Sequence, residues 1–454
     1  MKHYSKRPIR SSRKQSPMIN VLVVTNIPWR TDTSIGNTFS NIFSGLEKDL
    51  NIIQVYFREG QPLNEYAGSC FHISEKELAK SILTRKPVGK SIDFSEKGSG
   101  EENEGSSLSA AYNKARQLRW DSFLLAQDCI GVFGNWHSEA LDEFIQNESP
   151  DIVFGALGRV PVVNDLMRYI ACRYSLPLVV YGWDEHYSIK RGRLSPFYYL
   201  RAVLERRSLA RCAERADVLF AITPELGEFY SRQFNKPVML LRKAYDFTSR
   251  PDYFGPSDDQ IRLLYAGNIG AGRWKVLGHL VDAIEQCNRN LDMQIRLDIY
   301  SHTPCSAEMK DRLNTEYSML HGGVDSKELP ALFDRSDILV HVESTDAKEL
   351  EDCKYSFSTK IVDYLHAGRC ILSLGGPTTA TEYIKQERCG IVVNDLSRIS
   401  AELMDLAINK NQIKEYACNS WDVGCKNHRR EVVQKLLVDT FSGLLERKVF
   451  GEKK

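Results

Sequence analysis

Apolar residues fall along this chain in two alternating rhythms. Short runs rich in β-branched residues predict buried strands at 19–25, 51–57, 151–156, 178–181, 217–223 and 238–241 in the first half. They recur at 261–266, 295–300, 337–342, 370–374 and 390–393 in the second. Between these runs, apolar positions spaced three and four apart predict helices. Phe39, Ile42, Phe43 and Leu46 share one such face; Leu277, Leu280, Val281, Ile284 and Cys287 share another. Val432, Val433, Leu436, Leu437, Phe441 and Leu444 form a third, within a helix expected over 431–445. Further helices are expected over 120–130, 139–145, 163–174, 201–216, 326–333, 359–367 and 381–387. Strand, helix and strand repeated in this way predict an α/β protein with parallel sheets. In such sheets, ligands collect beyond the carboxyl ends of the strands.

The stretch 337–393 carries this alternation most clearly: strand, polar loop, helix, strand, loop, helix, strand. Gly368 stands where a residue free to adopt positive φ ends a helix, and Gly375-Gly376-Pro377 breaks the strand before it. Residues 60–118 show no strong period, and 95–109 (SEKGSGEENEGSSLS) is acidic and low in complexity, as expected of a dispensable surface insertion. A polar, Pro- and Gly-bearing linker at 247–260 predicts a boundary between a first domain, 18–246, and a second, 261–426. The phrase Arg215-Ala216-Asp217-Val218-Leu219 returns as Arg335-Ser336-Asp337-Ile338-Leu339, which fits two halves of similar architecture.

Composition narrows the function classes. With 60 basic and 59 acidic residues in 454, the chain lacks the charge bias of a dedicated nucleic-acid binder. Eleven cysteines are scattered without a C-x-x-C pair, several of them inside apolar runs, and read as buried thiols of a reducing compartment. No apolar run approaches the roughly 18 residues of a membrane span, so a cytoplasmic protein is expected. Residues 1–17 hold Lys2, Lys6, Arg7, Arg10, Arg13 and Lys14 without an acid. They read either as a disordered tail or as an arm drawn to anionic lipid headgroups.

Three loops carry candidate chemistry. GNIGAGRWK, residues 267–275, lies between a strand and a helix, as a phosphate loop must. Gly267 and Gly270 let backbone approach an anion, Arg273 can bridge two phosphate oxygens through its planar fork, and Lys275 adds a point charge. A surface loop with solvated cations is the plainer alternative. Ser356, Ser358, Thr359 and Lys360 lie on a second loop and at the start of the helix behind it, and supply hydroxyls, N–H groups and an ammonium. Trp183, Asp184, Glu185 and His186 cluster after the strand at 178–181, either as working groups of the cleft or as caps of the next helix. Gly36, in the loop after the first strand, marks either a cleft-facing loop or a simple turn.

The phrases SFSTKIVDYLHAG, the following Gly-Pro turn and CGIVV resemble the donor-binding half of glycosyltransferase family 4, most of all its bacterial polysaccharide-assembly members. The resemblance implies a GT-B fold, with two Rossmann-like domains facing a central cleft and a C-terminal helix, within 427–454, crossing back to the first. It implies a retaining transfer of sugar from a nucleotide-diphosphate donor to a hydroxyl of a glycan or lipid-linked glycan. In that scheme Arg273, Lys275 and Lys360 stabilise the departing diphosphate. Gly267, Asn268, Gly270, Ser358, Thr359 and Asp363 bind the donor, Asp363 at its ribose. Gly36, Asp184, Glu185 and His186 face the acceptor. Two positions depart from the family: its paired glutamates read Tyr355 and Asp363, and the usual arginine after the first glycine is Asn268. With no D-x-D triplet in the chain, no metal or other cofactor is expected. A sugar-nucleotide 2-epimerase and a catalytically silent nucleotide-sugar or lipid-binding partner of an assembly complex are the alternatives.

Overall fold

The computed structural model describes residues 18–30, 33–63, 66–92, 120–190 and 194–451. The basic tail at 1–17 and the acidic insertion at 95–109 lie outside the described residues. Two sheets make up the chain. The first runs β1 (Ile19–Thr25), β2 (Leu50–Tyr56), β3 (Ala67–His72), β4 (Lys90–Ile92), β5 (Ile152–Ala156), β6 (Leu178–Gly182), β7 (Val218–Ala221) and β8 (Val238–Leu240). Its spatial order is β4-β3-β2-β1-β5-β6-β7-β8, parallel throughout except at the β3–β4 edge. The second holds β9 (Gln260–Ala266), β10 (Gln294–Tyr300), β11 (Ser318–His321), β12 (Ile338–Val342), β13 (Cys370–Leu374) and β14 (Gly390–Val393). Its order is β11-β10-β9-β12-β13-β14, all parallel.

Both sheets reverse their winding once, between β1 and β5 in the first and between β9 and β12 in the second. At such a reversal the flanking connections leave in opposite directions and open a crevice over the strand ends. The repeated Arg-x-Asp phrase has a physical counterpart at the opposite ends of the strands. Asp217 Oδ2 accepts from Leu178 N, and Asp337 Oδ2 from Arg262 N, each at 2.8 Å. Asp151 does the same for Asn20 N at 2.8 Å. Each carboxylate, placed just before its own strand, satisfies an N–H at the start of the neighbouring strand.

The buried strands of 337–393 form where their apolar runs predict. Several other elements depart from the pattern. Residues 60–118 contain β3, a helix at Glu75–Thr84 and β4, which the weak periodicity concealed. These lie at the sheet edge, where only Leu78 and Ser81 of the helix are buried, so little apolar signal is required. The polar segment after β12 is a helix, Ala347–Cys353, with no buried residue and with Asp346 capping the N–H groups of Lys348 and Glu349. Helices at Pro224–Phe234, Ala307–Leu313, Ile399–Ile408 and Lys410–Asn427 also lack a forecast. The helix expected at 201–216 starts earlier, at Pro196, where Ser195 Oγ accepts from Tyr198 N. The helix expected at 326–333 is confined to Leu329–Asp334.

The last helix, Arg430–Gly451, returns to the first sheet. Val433, Leu437 and Phe441 are buried in that sheet's core, and the Phe441 ring lies 6.1 Å from that of Phe154. Gln434 Nε2 donates to the carbonyls of Ile42 and Ser44 at 2.9 and 2.6 Å. Val432, expected on the apolar face, is instead 61% exposed: one position before buried Val433, it lies on a side of the helix turned away from the sheet. Just before this helix, Tyr245 N donates to His428 O at 2.9 Å, and Arg430 N to Tyr245 O at 3.0 Å. The two strands of chain that connect the domains are thus held side by side.

Candidate active site

Each sheet opens a crevice at its winding reversal. The second contains a cavity of about 270 Å³ whose walls come from β12 and from the loops after β9, β12 and the helix Ala347–Cys353. Asn268, Arg273, Ser356, Ser358 and Lys360 line it, together with His341 and Glu343, so two distant loops of the sequence are brought together.

The glycine loop serves its neighbours more than it offers its own backbone. Arg273 N donates to Gly270 O, Trp274 N to Ile269 O and Lys275 N to Gly272 O, at 3.1, 3.0 and 3.0 Å. Gly270 N donates to Asn268 Oδ1 at 2.6 Å, and Thr303 Oγ1 donates to the same oxygen at 3.2 Å. Asn268 therefore braces the loop, and the positive charge of the cavity comes from side chains. A Cβ built on Gly267 would overlap Lys360 Nζ, so this glycine makes room for the ammonium. By contrast, the N–H groups of Phe357, Ser358 and Thr359 have no acceptor among the described residues.

Arg273 opens the helix Arg273–Asn288 behind Gly272, a residue at φ +79° where an L side chain would be strained. Its Nε donates to Val342 O at 3.3 Å, and its Nη2 lies 3.8 Å from Glu343 Oε2. Lys360 lies with its Nζ 5.3 Å from the centre of the Tyr265 ring. Burial first, and then the Arg273 cation, push its ammonium down to about 8, against the pull of Glu343 and Asp363. Lys275 is exposed, its Nζ 5.7 Å over the Trp274 ring, and does not line the cavity. Two positions along the helix from Arg273, it points to a different side.

Asp363 is engaged by a residue that the sequence analysis did not single out. Lys243 Nζ, buried in the connection after β8, donates to Asp363 Oδ1 at 2.7 Å and to Thr359 O at 3.2 Å. Glu343 is likewise new. Burial alone would raise its carboxyl, but the hydrogen bond and charge of His341, with Arg273 and Lys360 nearby, hold it below its ordinary value. The sequence signal was a charged residue directly following a strand of buried residues, at the end where working groups gather.

The acceptor-side candidates divide. Asp184 Oδ1 accepts from Ser356 Oγ of the second domain, across the cleft. Glu185 is a local cap: its Oε1 accepts from Tyr187 N and Ser188 N at 2.6 and 2.8 Å. His186 is half-buried, and desolvation of its ring, despite nearby Asp184, pushes it down to about 4, leaving it neutral. Its Nδ1 has no partner among the described residues. Gly36 is a packing glycine: a Cβ there would overlap the Arg30 carbonyl as the helix Ser34–Phe43 begins. Tyr355 turns away from the cavity. Its ring lies 5.5 Å from Phe229, and its carbonyl accepts from Thr223 Oγ1 at 3.2 Å. With the Lys190–Asp352 ion pair, these contacts join the segment 352–356 to the first domain.

No protein-family model matches the sequence, and no curated protein matches it. The architecture itself is that of the GT-B fold, two Rossmann-like domains about a cleft, and solved structures share it. HepE of Anabaena, in complex with UDP-glucose, is similar at TM-score 0.57 and 12% identity, over 94% of this chain and 100% of that one. TarM is similar at TM-score 0.59 and 9% identity, over 94% and 99%. A protein of Listeria monocytogenes described as a UDP-N-acetylglucosamine 2-epimerase is similar at TM-score 0.51 and 12% identity, over 96% and 97%.

Proposed function

We propose that this protein is a glycosyltransferase that moves a sugar from a nucleoside-diphosphate donor to a hydroxyl of a glycan or lipid-linked glycan. The observation that carries the reading is the cavity at the winding reversal of the second sheet, with Arg273 and Lys360 converging on it from separate loops. As the glycosidic C–O bond of the donor breaks, negative charge develops on the diphosphate. A guanidinium and an ammonium already fixed in a largely buried site stabilise that charge without reorganisation. The similarity to HepE, solved with UDP-glucose, supports a nucleotide-sugar donor. In a retaining reaction the departing phosphate takes the acceptor proton, so no separate base is required. Asp363 receives the ribose with the oxygen that Lys243 leaves open.

The acceptor approaches between the domains, past Asp184 and His186. A membrane-borne acceptor suits a second feature of the first domain. Before and within the first turns of the helix Pro196–Arg215, Leu194 is 100% and Leu200 62% exposed, and Arg207 and Arg211 continue the exposed face. Apolar groups followed by cations fit an anionic lipid surface. Co-sedimentation with phosphatidylglycerol vesicles, set against phosphatidylcholine, tests this part: equal partitioning to both, or to neither, contradicts it.

The transferase reading is tested by incubating the protein with a panel of nucleotide sugars and candidate acceptors. Acceptor-dependent release of nucleoside diphosphate supports it. Conversion of the donor sugar without an acceptor identifies an epimerase, and thermal stabilisation without turnover identifies a silent binder.

A further inference from the structure

Glu343 is the single carboxylate lining the cavity among the described residues, and its two oxygens are treated differently. Oε1 lies 3.3 Å from His341 Nε2. The other ring nitrogen, Nδ1, is 2.9 Å from Ser373 Oγ. Nε2–H donates to the carboxylate, and the serine hydroxyl, which can donate or accept, completes the contact at Nδ1. His341, itself buried, thereby locks the orientation of Glu343. Oε2 has only Arg273 Nη2, at 3.8 Å, beyond hydrogen-bond length. Arg273 is in turn tethered by its Nε to the Val342 carbonyl, so it is not free to close that gap. An ionised oxygen thus faces the cavity without a hydrogen-bond donor from the described residues, open to water or to a ligand that supplies one.

The identity of that donor follows from charge. A phosphate has no proton to offer a carboxylate at neutral pH and is repelled by it, whereas a sugar hydroxyl donates to it well. A ligand with an anionic end for Arg273 and Lys360 and a hydroxyl-bearing end for Glu343 satisfies the whole wall. We propose that Glu343 binds the hydroxyls of the donor's sugar, and so selects a nucleotide sugar over the bare nucleoside diphosphate. The assignment rests on the nucleotide-sugar reading above.

The sign of the effect separates this role from the others open to a buried carboxylate. Dissociation constants are measured for matched pairs, UDP with UDP-glucose and UDP-N-acetylglucosamine, and GDP with GDP-mannose, against wild type, Glu343→Gln and Glu343→Asp. Glu343→Gln is expected to bind the diphosphate as tightly as wild type or more so, because a repelling charge is gone. Its added affinity for the sugar-bearing partner is expected to fall by about tenfold or more, the value of a charge-assisted hydrogen bond. Glu343→Asp keeps the charge but withdraws it by one methylene. It is expected to match wild type on the diphosphate and still lose the sugar increment. Equal weakening of both ligands in both variants overturns the assignment and makes Glu343 a support for Arg273. Equal tightening of both by Glu343→Gln overturns it in favour of an internal counter-ion that phosphate displaces. Melting curves of the ligand-free variants, with the diphosphate arm, show whether the fold is intact. If wild type binds no member of any pair, the transferase reading fails and this assignment fails with it.

Discussion

Lys243 Nζ donates to Asp363 Oδ1 at 2.7 Å, linking the chain that leaves the first sheet to the helix Lys360–His366 of the second domain. The lysine is only 2% exposed, whereas the aspartate side chain is 31% exposed. The pair therefore serves two ends: it neutralises a cation buried at the connection between domains, and it fixes the carboxylate expected to meet the ribose.

Removing the carboxylate leaves that ammonium with the Thr359 carbonyl as its hydrogen-bond acceptor among the described residues and the Tyr245 ring 6.0 Å away. Breaking a buried pair from one side costs about 3–5 kcal/mol, and the partial exposure of Asp363 puts Asp363→Ala near the lower end. Denaturant unfolding should show this loss, and Lys243→Met in the same chain should recover most of it. No recovery in the double variant would mean that the pair is not the source of the cost.

Arg273 lies at the cavity wall and contributes to no core. Arg273→Ala is expected to leave the melting temperature nearly unchanged and to lower turnover about 10²- to 10³-fold, the usual cost of losing one preorganised charge donor. Lys275→Ala, at an exposed position outside the cavity, is expected to lower turnover less than threefold. Steady-state rates at saturating donor decide between them; equal losses would place both cations in the site.

Lys360 sets a pH dependence. Its free-site value of about 8 lies below the ordinary lysine value, so the ammonium is lost as pH rises through 8. An anionic ligand favours the protonated form, hence binding is level below pH 8 and weakens by up to about tenfold per unit above it. Diphosphate affinity measured from pH 6 to 10 should show this bend, and Lys360→Arg should flatten it, since a guanidinium stays charged throughout. An unbent wild-type profile contradicts the role. Folding stability has the opposite trend: the unfolded chain holds that proton more tightly, so Lys360 contributes to a rise in stability between pH 8 and the ordinary lysine value.

The crossing of the last helix predicts an asymmetry along it. Phe441 is fully buried against the first sheet, and Phe441→Ala should cost about 3–5 kcal/mol in denaturant unfolding. Val432→Ala, at an exposed position, should change stability by less than about 0.5 kcal/mol. Similar values for the two would place the apolar face elsewhere.

These particulars show what the sequence could convey. The strands from Ile338 to Val393 were legible because their continuous apolar runs match burial on both faces of a parallel sheet. β3 and the helix Glu75–Thr84 were not, since an edge needs few buried side chains and leaves a mostly polar record. The loops after β9 and β12 could be paired through the α/β rule that gathers strand ends. Side-chain direction was out of reach: Arg273 and Lys275 look equivalent as text, yet one lines the cavity and the other is exposed. Lys243 and Asp363 stand 120 positions apart, and no local pattern announces a bond that depends on how two domains meet.

In the proposed function, two cations from separate loops, Arg273 and Lys360, hold a nucleoside diphosphate in the cavity. Calorimetric titration of the wild-type protein and of the Arg273→Ala/Lys360→Ala double variant with UDP, GDP, ADP and dTDP addresses it directly. Saturable binding of at least one diphosphate by wild type, reduced at least about 100-fold in a double variant that remains folded, is the predicted result. Binding of none by wild type, or undiminished binding by the double variant, would contradict it.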